Sequence, residues 1–261
     1  MPHTWRPVLE CRDGSVTALT LLAGGHDRPA VILVHGAANS GRVWTFWQYE
    51  LARRGWTSHA IDLRGHGASE VDALGTTSMA DYADDVVTFA RTLRRPPVLV
   101  GWSMGGLVAM MAAAMCEAQA CVGLAPSAAT KSRDRSIPLR AGVFGAEEYG
   151  IVNRDSDRQP SMADLDGEER AVALKSLGLE SRMARDERKA GIVIASLPCP
   201  VLIVTGTADM QWPRQRYNDL PFAADHVEIG DASHWGLVLN RRVLPEIGSV
   251  VCSWLEKRRL T

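Results

Sequence analysis

No charge of one sign dominates this chain of 261 residues: 29 Lys and Arg stand against 30 Asp and Glu, a formal net charge of -1. That balance creates no field to gather nucleic acid or an anionic membrane, so neither is an expected partner. Uninterrupted apolar runs of about 18 residues, the length a membrane helix needs, are missing. The opening Met1-Pro2-His3-Thr4-Trp5-Arg6 lacks the apolar centre of an export signal, which points to a cytoplasmic protein. Cysteine is sparse: Cys11, Cys116, Cys121, Cys199 and Cys252 are five scattered residues with no C-x-x-C pair and no metal-ligand spacing. They read as reduced, buried thiols, with no disulfide framework, metal or organic cofactor called for. Internal repeats, low-complexity tracts and flexible linkers are absent as well.

What remains is an ordinary globular composition, 46% hydrophobic and 23% charged, long enough for a single large core. Short apolar runs alternate with longer segments of helical period, the pattern of a parallel sheet covered on both faces. Val31-Ile32-Leu33-Val34 reads as a buried strand ending at His35-Gly36, and Val43 to Arg54 as a helix closed by Gly55. Thr57 to Ile61 is the next strand, followed by the polar, glycine-rich loop Asp62 to Ser69. Ser78 caps a helix running to about Leu93, and Pro96-Pro97 forbids its continuation. Val98 to Gly101 is a strand, Met104 to Glu117 a helix, and Cys121 to Leu124 a further strand.

There the alternation fails. From Ser127 to Ser196 the chain is charge-rich, and its clear periodicity is helical, through Ala171, Leu174, Leu177, Leu179 and Met183. This is the expected pattern of a helical lid, residues 127–196, inserted into a core made of 1–126 and 197–261. Strands resume at Val201 to Val204 and at His226 to Ile229, and Val243 to Leu255 is a final amphipathic helix.

One turn carries the chemistry. Gly101-Trp102-Ser103-Met104-Gly105 joins a buried strand to a helix, the setting in which a G-x-S-x-G pentapeptide acts as a nucleophile elbow. Small residues are needed there because the central residue is strained and its turn tightly packed. A serine hydroxyl at neutral pH needs a base, and the base an orienting carboxylate. His234, in Ala232-Ser233-His234-Trp235, and Asp209, in Thr205-Gly206-Thr207-Ala208-Asp209, follow successive strands and so fall at one edge of the sheet. Asp231, three residues before His234, is a rival acid, while Asp62 and Asp225 read as loop-capping or exposed residues. Of the other histidines, His3 and His26 lie in polar segments, His59 and His226 in or beside strands, and His35 and His66 read as structural loop residues. The oxyanion formed by attack would be held by the backbone N–H groups of Met104 and Ala37.

These motifs resemble the α/β-hydrolase family, in particular its small cap-bearing esterases, lactonases and cofactor-free haloperoxidase-like hydrolases. The likeness rests on His35-Gly36, the run Asp62 to Ser69, Gly101 to Gly106, Gly206 to Asp209 and Ser233-His234, in the family's order and spacing. It implies the α/β-hydrolase fold: a mostly parallel central sheet flanked by helices, with a small helical cap inserted after the sixth strand. Relatives that place the acid after that strand differ from this chain, whose Gly123-Leu124-Ala125-Pro126-Ser127 has no carboxylate there. Haloalkane dehalogenases and epoxide hydrolases carry Asp at the elbow, where this chain has Ser103.

The implied activity is hydrolysis of a small or medium apolar or aryl ester through an acyl-enzyme, with a lactone as the close alternative and a non-catalytic ligand-binding protein as the reading of another class. Five of the eight tryptophans flank the motifs. Trp44 and Trp47, at helical spacing, read as core; Trp102 and Trp235 read as pocket walls, with Trp212 and the Met104 side chain nearby. No basic cluster at these loops calls for a phosphorylated or CoA-linked substrate. A small-molecule ester or lactone is thus the expected partner, and homodimer formation is left open.

Overall fold

The computed structural model describes residues 8–12, 16–23, 28–153, 155, 157 and 159–258. His3, His26, the opening hexapeptide and the Cys11 side chain lie outside what is described. Eight strands form one sheet: β1 (Val8–Arg12), β2 (Val16–Leu21), β3 (Val31–Val34), β4 (Ser58–Asp62), β5 (Val98–Trp102), β6 (Ala120–Leu124), β7 (Val201–Gly206) and β8 (Asp225–Ile229). Their order is β1-β2-β4-β3-β5-β6-β7-β8, and only β2 runs against the rest. The strands β3 to β7 are buried along their whole length, which is why β3, β5, β6 and β7 read as apolar runs rather than as alternating ones, while β4 buries Ser58, His59 and Asp62 as well.

The order of the strands sets the position of everything that follows. After β3 the chain lays β4 on one side, then returns to lay β5 on the other, so the loops after β3 and β5 open side by side. The register pairs Val34 with Gly101, which brings His35-Gly36-Ala37 against the turn at Ser103.

Helices cover both faces. On one face α1 (Thr45–Arg53), the short α6 (Gly236–Leu239) and α7 (Leu244–Glu256) bury Trp44, Trp47, Val251 and Leu255 against the sheet. Trp47 also donates from Nε1 to the Leu237 carbonyl at 3.0 Å, so both tryptophans are core, in line with their helical spacing. On the other face α2 (Met79–Arg91) and α3 (Met104–Ala113) pack Tyr82, Phe89, Leu107 and Met110 over the sheet. Helix α2 begins with a reciprocal capping box between Ser78 and Asp81. Helix α3 ends at Ala113, four residues short of the expected Glu117, its carbonyls closed by the Ala114, Met115 and Cys116 amides.

Between β6 and β7 the described residues add no strand to this sheet. Helices α4 (Gly167–Ser176) and α5 (Arg182–Ala190) are separated by Leu177-Gly178-Leu179 and by a two-residue ladder of Glu180–Ser181 with Val143–Phe144. The periodicity from Ala171 to Met183 reads as continuous, but the structure breaks it: Glu180 and Ser181 turn inward and become fully buried. Asp166 caps α4 and Ser181 caps α5, each accepting a backbone N–H.

Four cysteines are free thiols, Cys121 and Cys252 buried, Cys116 and Cys199 half-buried. No helix of the described residues is long and apolar enough to cross a membrane.

Candidate active site

Ser103 stands between β5 and α3 with φ 55° and ψ -121°, a conformation that non-glycine residues rarely adopt. Three backbone hydrogen bonds hold it: its N–H donates to Leu124 O at 3.0 Å, and its carbonyl accepts from Gly106 at 3.1 Å and Ser127 at 2.9 Å. The glycines make that turn possible. A Cβ on Gly101 would overlap the Gly105 carbonyl, and one on Gly105 would overlap the carbonyl oxygens of Val34 and His35. The strand-to-helix turn therefore sits directly on the end of β3. A Cβ on Gly36 would come within 3.3 Å of the Ser103 Cβ, so the loop after β3 touches the elbow.

Asp209 and His234 meet across the ends of β7 and β8. His234 Nδ1 lies 2.7 Å from Asp209 Oδ2, and the two loops are tied by Thr207 N–H to Ile229 O and Ala208 N–H to Ala232 O. Burial works against the Asp209 carboxylate. The hydrogen bond and charge of His234 and the Trp212 and Gln211 amides, each 2.9 Å from Oδ1, outweigh it and hold the carboxyl below its usual range. Asp209 is thus an anion near neutrality, Nδ1 carries the imidazole proton, and Nε2 is left as the basic nitrogen. Asp231, the rival acid, is exposed at φ 57°, its N–H bound to Thr207 Oγ1, while Asp209 takes the imidazole.

Ser103 and His234 line one cavity with about 500 Å³ of empty space, including its mouth. Ala37 lines it too, beside the serine. The Met104 N–H lies in the first turn of α3, where backbone donors have no partner within the helix and the dipole favours negative charge. Its side chain is not at the cavity, contrary to the expectation: Met104 is fully buried between α3 and the sheet, because the first turn of the helix points it inward. Trp102 and Trp235 do line the cavity, with ring centroids 4.8 Å apart, and Trp212 joins them. Trp102 also donates from Nε1 to the His234 carbonyl at 3.0 Å, so this ring braces the histidine as well as walling the cavity.

The other histidines fall where backbone needs them. His35 Nδ1 donates to Gly36 O at 2.8 Å, and its Nε2 accepts from Leu63 N–H at 3.2 Å. Burial, then the neighbouring His66, push His35 down to about 3, so it stays neutral. His66 is paired with Glu180 at 3.5 Å, both side chains fully buried. Burial opposes both charges, yet each partner stabilises the other: His66 is raised and Glu180 is held down at about 2. Asp62 caps loops, accepting from Gly41 N–H at 2.7 Å and Ala68 N–H at 2.9 Å. Asp225 is exposed and paired with Arg258. Among the described residues no group of three or more His, Cys, Asp or Glu could hold a metal ion.

Several residues at this site escape a reading of the sequence, and most come from the segment between β6 and β7. Tyr149, Leu177 and Arg188 line the same cavity as Ser103, and Asp164 accepts both the N–H and the hydroxyl of Ser233, next to the histidine. A charge-rich stretch offers no signal that singles out these few side chains.

Residues 31–244 match the sequence profile described as the alpha/beta hydrolase family. Among solved structures, a soluble variant of monoglyceride lipase from Saccharomyces cerevisiae superposes with a TM-score of 0.69 at 17% identity, over 99% of this chain and 96% of that one. A thermophilic esterase from Thermogutta terrifontis gives 0.65 at 21% identity, over 98% of each chain. Epoxide hydrolase A from Mycobacterium thermoresistibile gives 0.66 at 18% identity, over 97% and 98%. Likeness at such identities speaks for the fold, which hosts more than one chemistry.

Proposed function

The chain belongs to the alpha/beta hydrolase family, and from that premise we propose that it is a serine hydrolase of carboxylic esters with Ser103 as nucleophile. His234 Nε2 takes the hydroxyl proton as Ser103 Oγ adds to the ester carbonyl, and the Ala37 and Met104 N–H groups hold the resulting oxyanion. The imidazolium then returns its proton to the departing alkoxide, leaving an acyl-enzyme. Water, deprotonated by the same nitrogen, attacks the acyl carbon, and Ser103 leaves with the proton. Asp209 keeps the tautomer and stabilises the transient imidazolium.

The observation that carries this reading is the 2.7 Å bond between His234 and an ionised Asp209 at a cavity into which the strained Ser103 opens. Esterase and lipase relatives of the same fold are in keeping with it. In the same proposal, residues 127–196 act as the cap that shapes the acyl or alcohol pocket, walled by Trp102, Trp235 and Leu177. A cavity walled by three tryptophans suits the apolar part of a small or medium ester.

Replacing Ser103 by Ala and following short p-nitrophenyl esters tests the assignment, with an expected loss in kcat on the order of 10⁴-fold or more. The unaltered protein should also react with a fluorophosphonate probe. Undiminished turnover by the Ser103→Ala protein sinks the serine mechanism, and failure of the folded protein to label moves the reading to a binding protein.

A further inference from the structure

We propose that Arg188 forms an anion subsite in the catalytic cavity, and that the ester accepted there carries a second group that is a carboxylate. The inference deepens the reading of Ser103 as nucleophile and rests on it for turnover, though not for binding.

Arg188 lies in the last turn of α5 and faces the same cavity as Ser103. Its Nη2 donates to the Tyr149 hydroxyl at 2.8 Å, which fixes the plane of the guanidinium against the cavity wall. Its Nε is buried and has no hydrogen-bond partner. A guanidinium is charged at every relevant pH and offers donors only, so at a cavity wall it calls for an anionic acceptor.

The surrounding acids do not meet that demand. Among the described residues Arg188 forms no ion pair, and the cavity lining contains no Asp or Glu. Glu180 is taken by His66, by the Tyr82 hydroxyl at 2.6 Å and by the Ala38 and Ser181 amides at 3.0 and 2.7 Å. Glu148 is shared by Arg182 and Arg185, and Glu187 accepts the Met79 N–H at 2.7 Å. Glu180 feels the Arg188 charge, but its oxygens are occupied by these partners, and Arg188 is the one Lys or Arg among the described residues of the cavity lining. The planar fork of a guanidinium matches a carboxylate, and the low-polarity aromatic wall of Trp102, Trp212 and Trp235 strengthens such a pair. The substrate class that follows is the half-ester of a dicarboxylic acid, or an ester with an equivalent carboxylate on its alcohol side. This departs from the apolar or aryl ester expected from the sequence, because the cation comes from the segment between β6 and β7 and not from the motif loops.

The test uses the full-length Ser103→Ala protein, titrated with monomethyl adipate and with methyl hexanoate, which share a six-carbon acyl chain. Binding is followed by the fluorescence of the tryptophans at the cavity. The half-ester should bind about tenfold tighter or more, and adding Arg188→Gln should collapse that ratio while Arg188→Lys keeps part of it. Equal binding of the two esters, no binding of the half-ester in the millimolar range, or an equal loss of both on Arg188→Gln overturns the subsite. Should Arg188→Gln fail to fold, the ratio is measured with Arg188 in place as salt is raised; a ratio that does not fall with ionic strength overturns it equally. Turnover is read separately on the unaltered protein by pH-stat. A preserved binding preference without turnover leaves the subsite standing and refutes the esterase reading instead.

Discussion

Glu180 Oε2 accepts the backbone N–H of Ala38 at 3.0 Å, joining positions 142 residues apart. The contact is one of several that fasten the loop after β3 to the segment between β6 and β7. Gly178 N–H donates to Ala38 O at 2.9 Å, and Ser176 Oγ donates to Asn39 Oδ1 at 2.7 Å while Asn39 Nδ2 holds Ala37 O at 2.8 Å. Ala38 itself is held at φ 54°, a strained conformation that needs such support. The backbone from Ala37 to Asn39 is thereby held by residues of the segment between β6 and β7.

Removing Glu180 should therefore hurt both folding and turnover. Glu180→Ala leaves His66 buried without its partner, a loss of about 3–5 kcal/mol of stability, read by urea unfolding. Glu180→Gln, which keeps the volume, should lower kcat on a short ester more than it raises KM, because the loop after β3, proposed to hold the oxyanion, is loosened.

The same pair predicts the shape of stability against pH. Glu180 is held at about 2 from an ordinary 4.5, so its contribution is complete above 4.5 and is lost as pH falls toward 2. His66 is raised from an ordinary 6.5, so its contribution is complete below 6.5 and is lost as pH rises through the elevated value. The urea midpoint should peak between 4.5 and 6.5, and the decline on both sides should shrink in Glu180→Gln. A midpoint profile identical in the two proteins would refute the coupling.

Asp209→Asn should reduce kcat by roughly 10⁴-fold with little change in KM, since the amide favours the wrong tautomer of His234. Asp231→Asn, at an exposed position that asparagine tolerates at positive φ, should change stability by no more than ~0.5 kcal/mol. Steady-state kinetics and unfolding of the two variants, measured together, separate the two candidate acids.

Asp164→Ala removes the acceptor of both Ser233 groups beside the histidine. A stability loss of roughly 1.5–3 kcal/mol is expected from the charge-assisted hydrogen bonds alone. Turnover should fall as well, with fluorophosphonate labelling slowed, because His234 loses the support of its loop.

Gly105→Ala would press a methyl group into the carbonyls of Val34 and His35. A loss of about 1–3 kcal/mol is expected, visible as a lowered Tm. Near-normal stability in that variant would contradict the close approach of α3 to the end of β3.

The parts of the fold that were legible in the sequence are those with a strong local signal. The strands β3, β5, β6 and β7 are buried on both faces and so appear as unbroken apolar runs, and the elbow is a local turn whose glycines are demanded by steric contact. The hairpin β1–β2 at the edge escaped notice, because Thr17 and Thr20 dilute its apolar run and the strand pairs its partners antiparallel rather than in the repeated βαβ pattern. The break between α4 and α5 escaped too, since Glu180 and Ser181 fit a helical period on paper and are drawn inward only by Tyr82, His66 and the Ala38 amide.

By itself the sequence determined the alternation that builds the sheet, the strained serine turn, and the strand ends from which Asp209 and His234 extend. Each depends on neighbours within a few residues, where sterics and capping act. Only the tertiary structure decided that Asp209 and not Asp231 meets the imidazole, that Met104 turns into the core, and that Arg188 and Glu180 reach the cavity and the loop after β3. Those outcomes depend on pairings across tens to more than a hundred residues, and no local periodicity records which buried charge will find which partner.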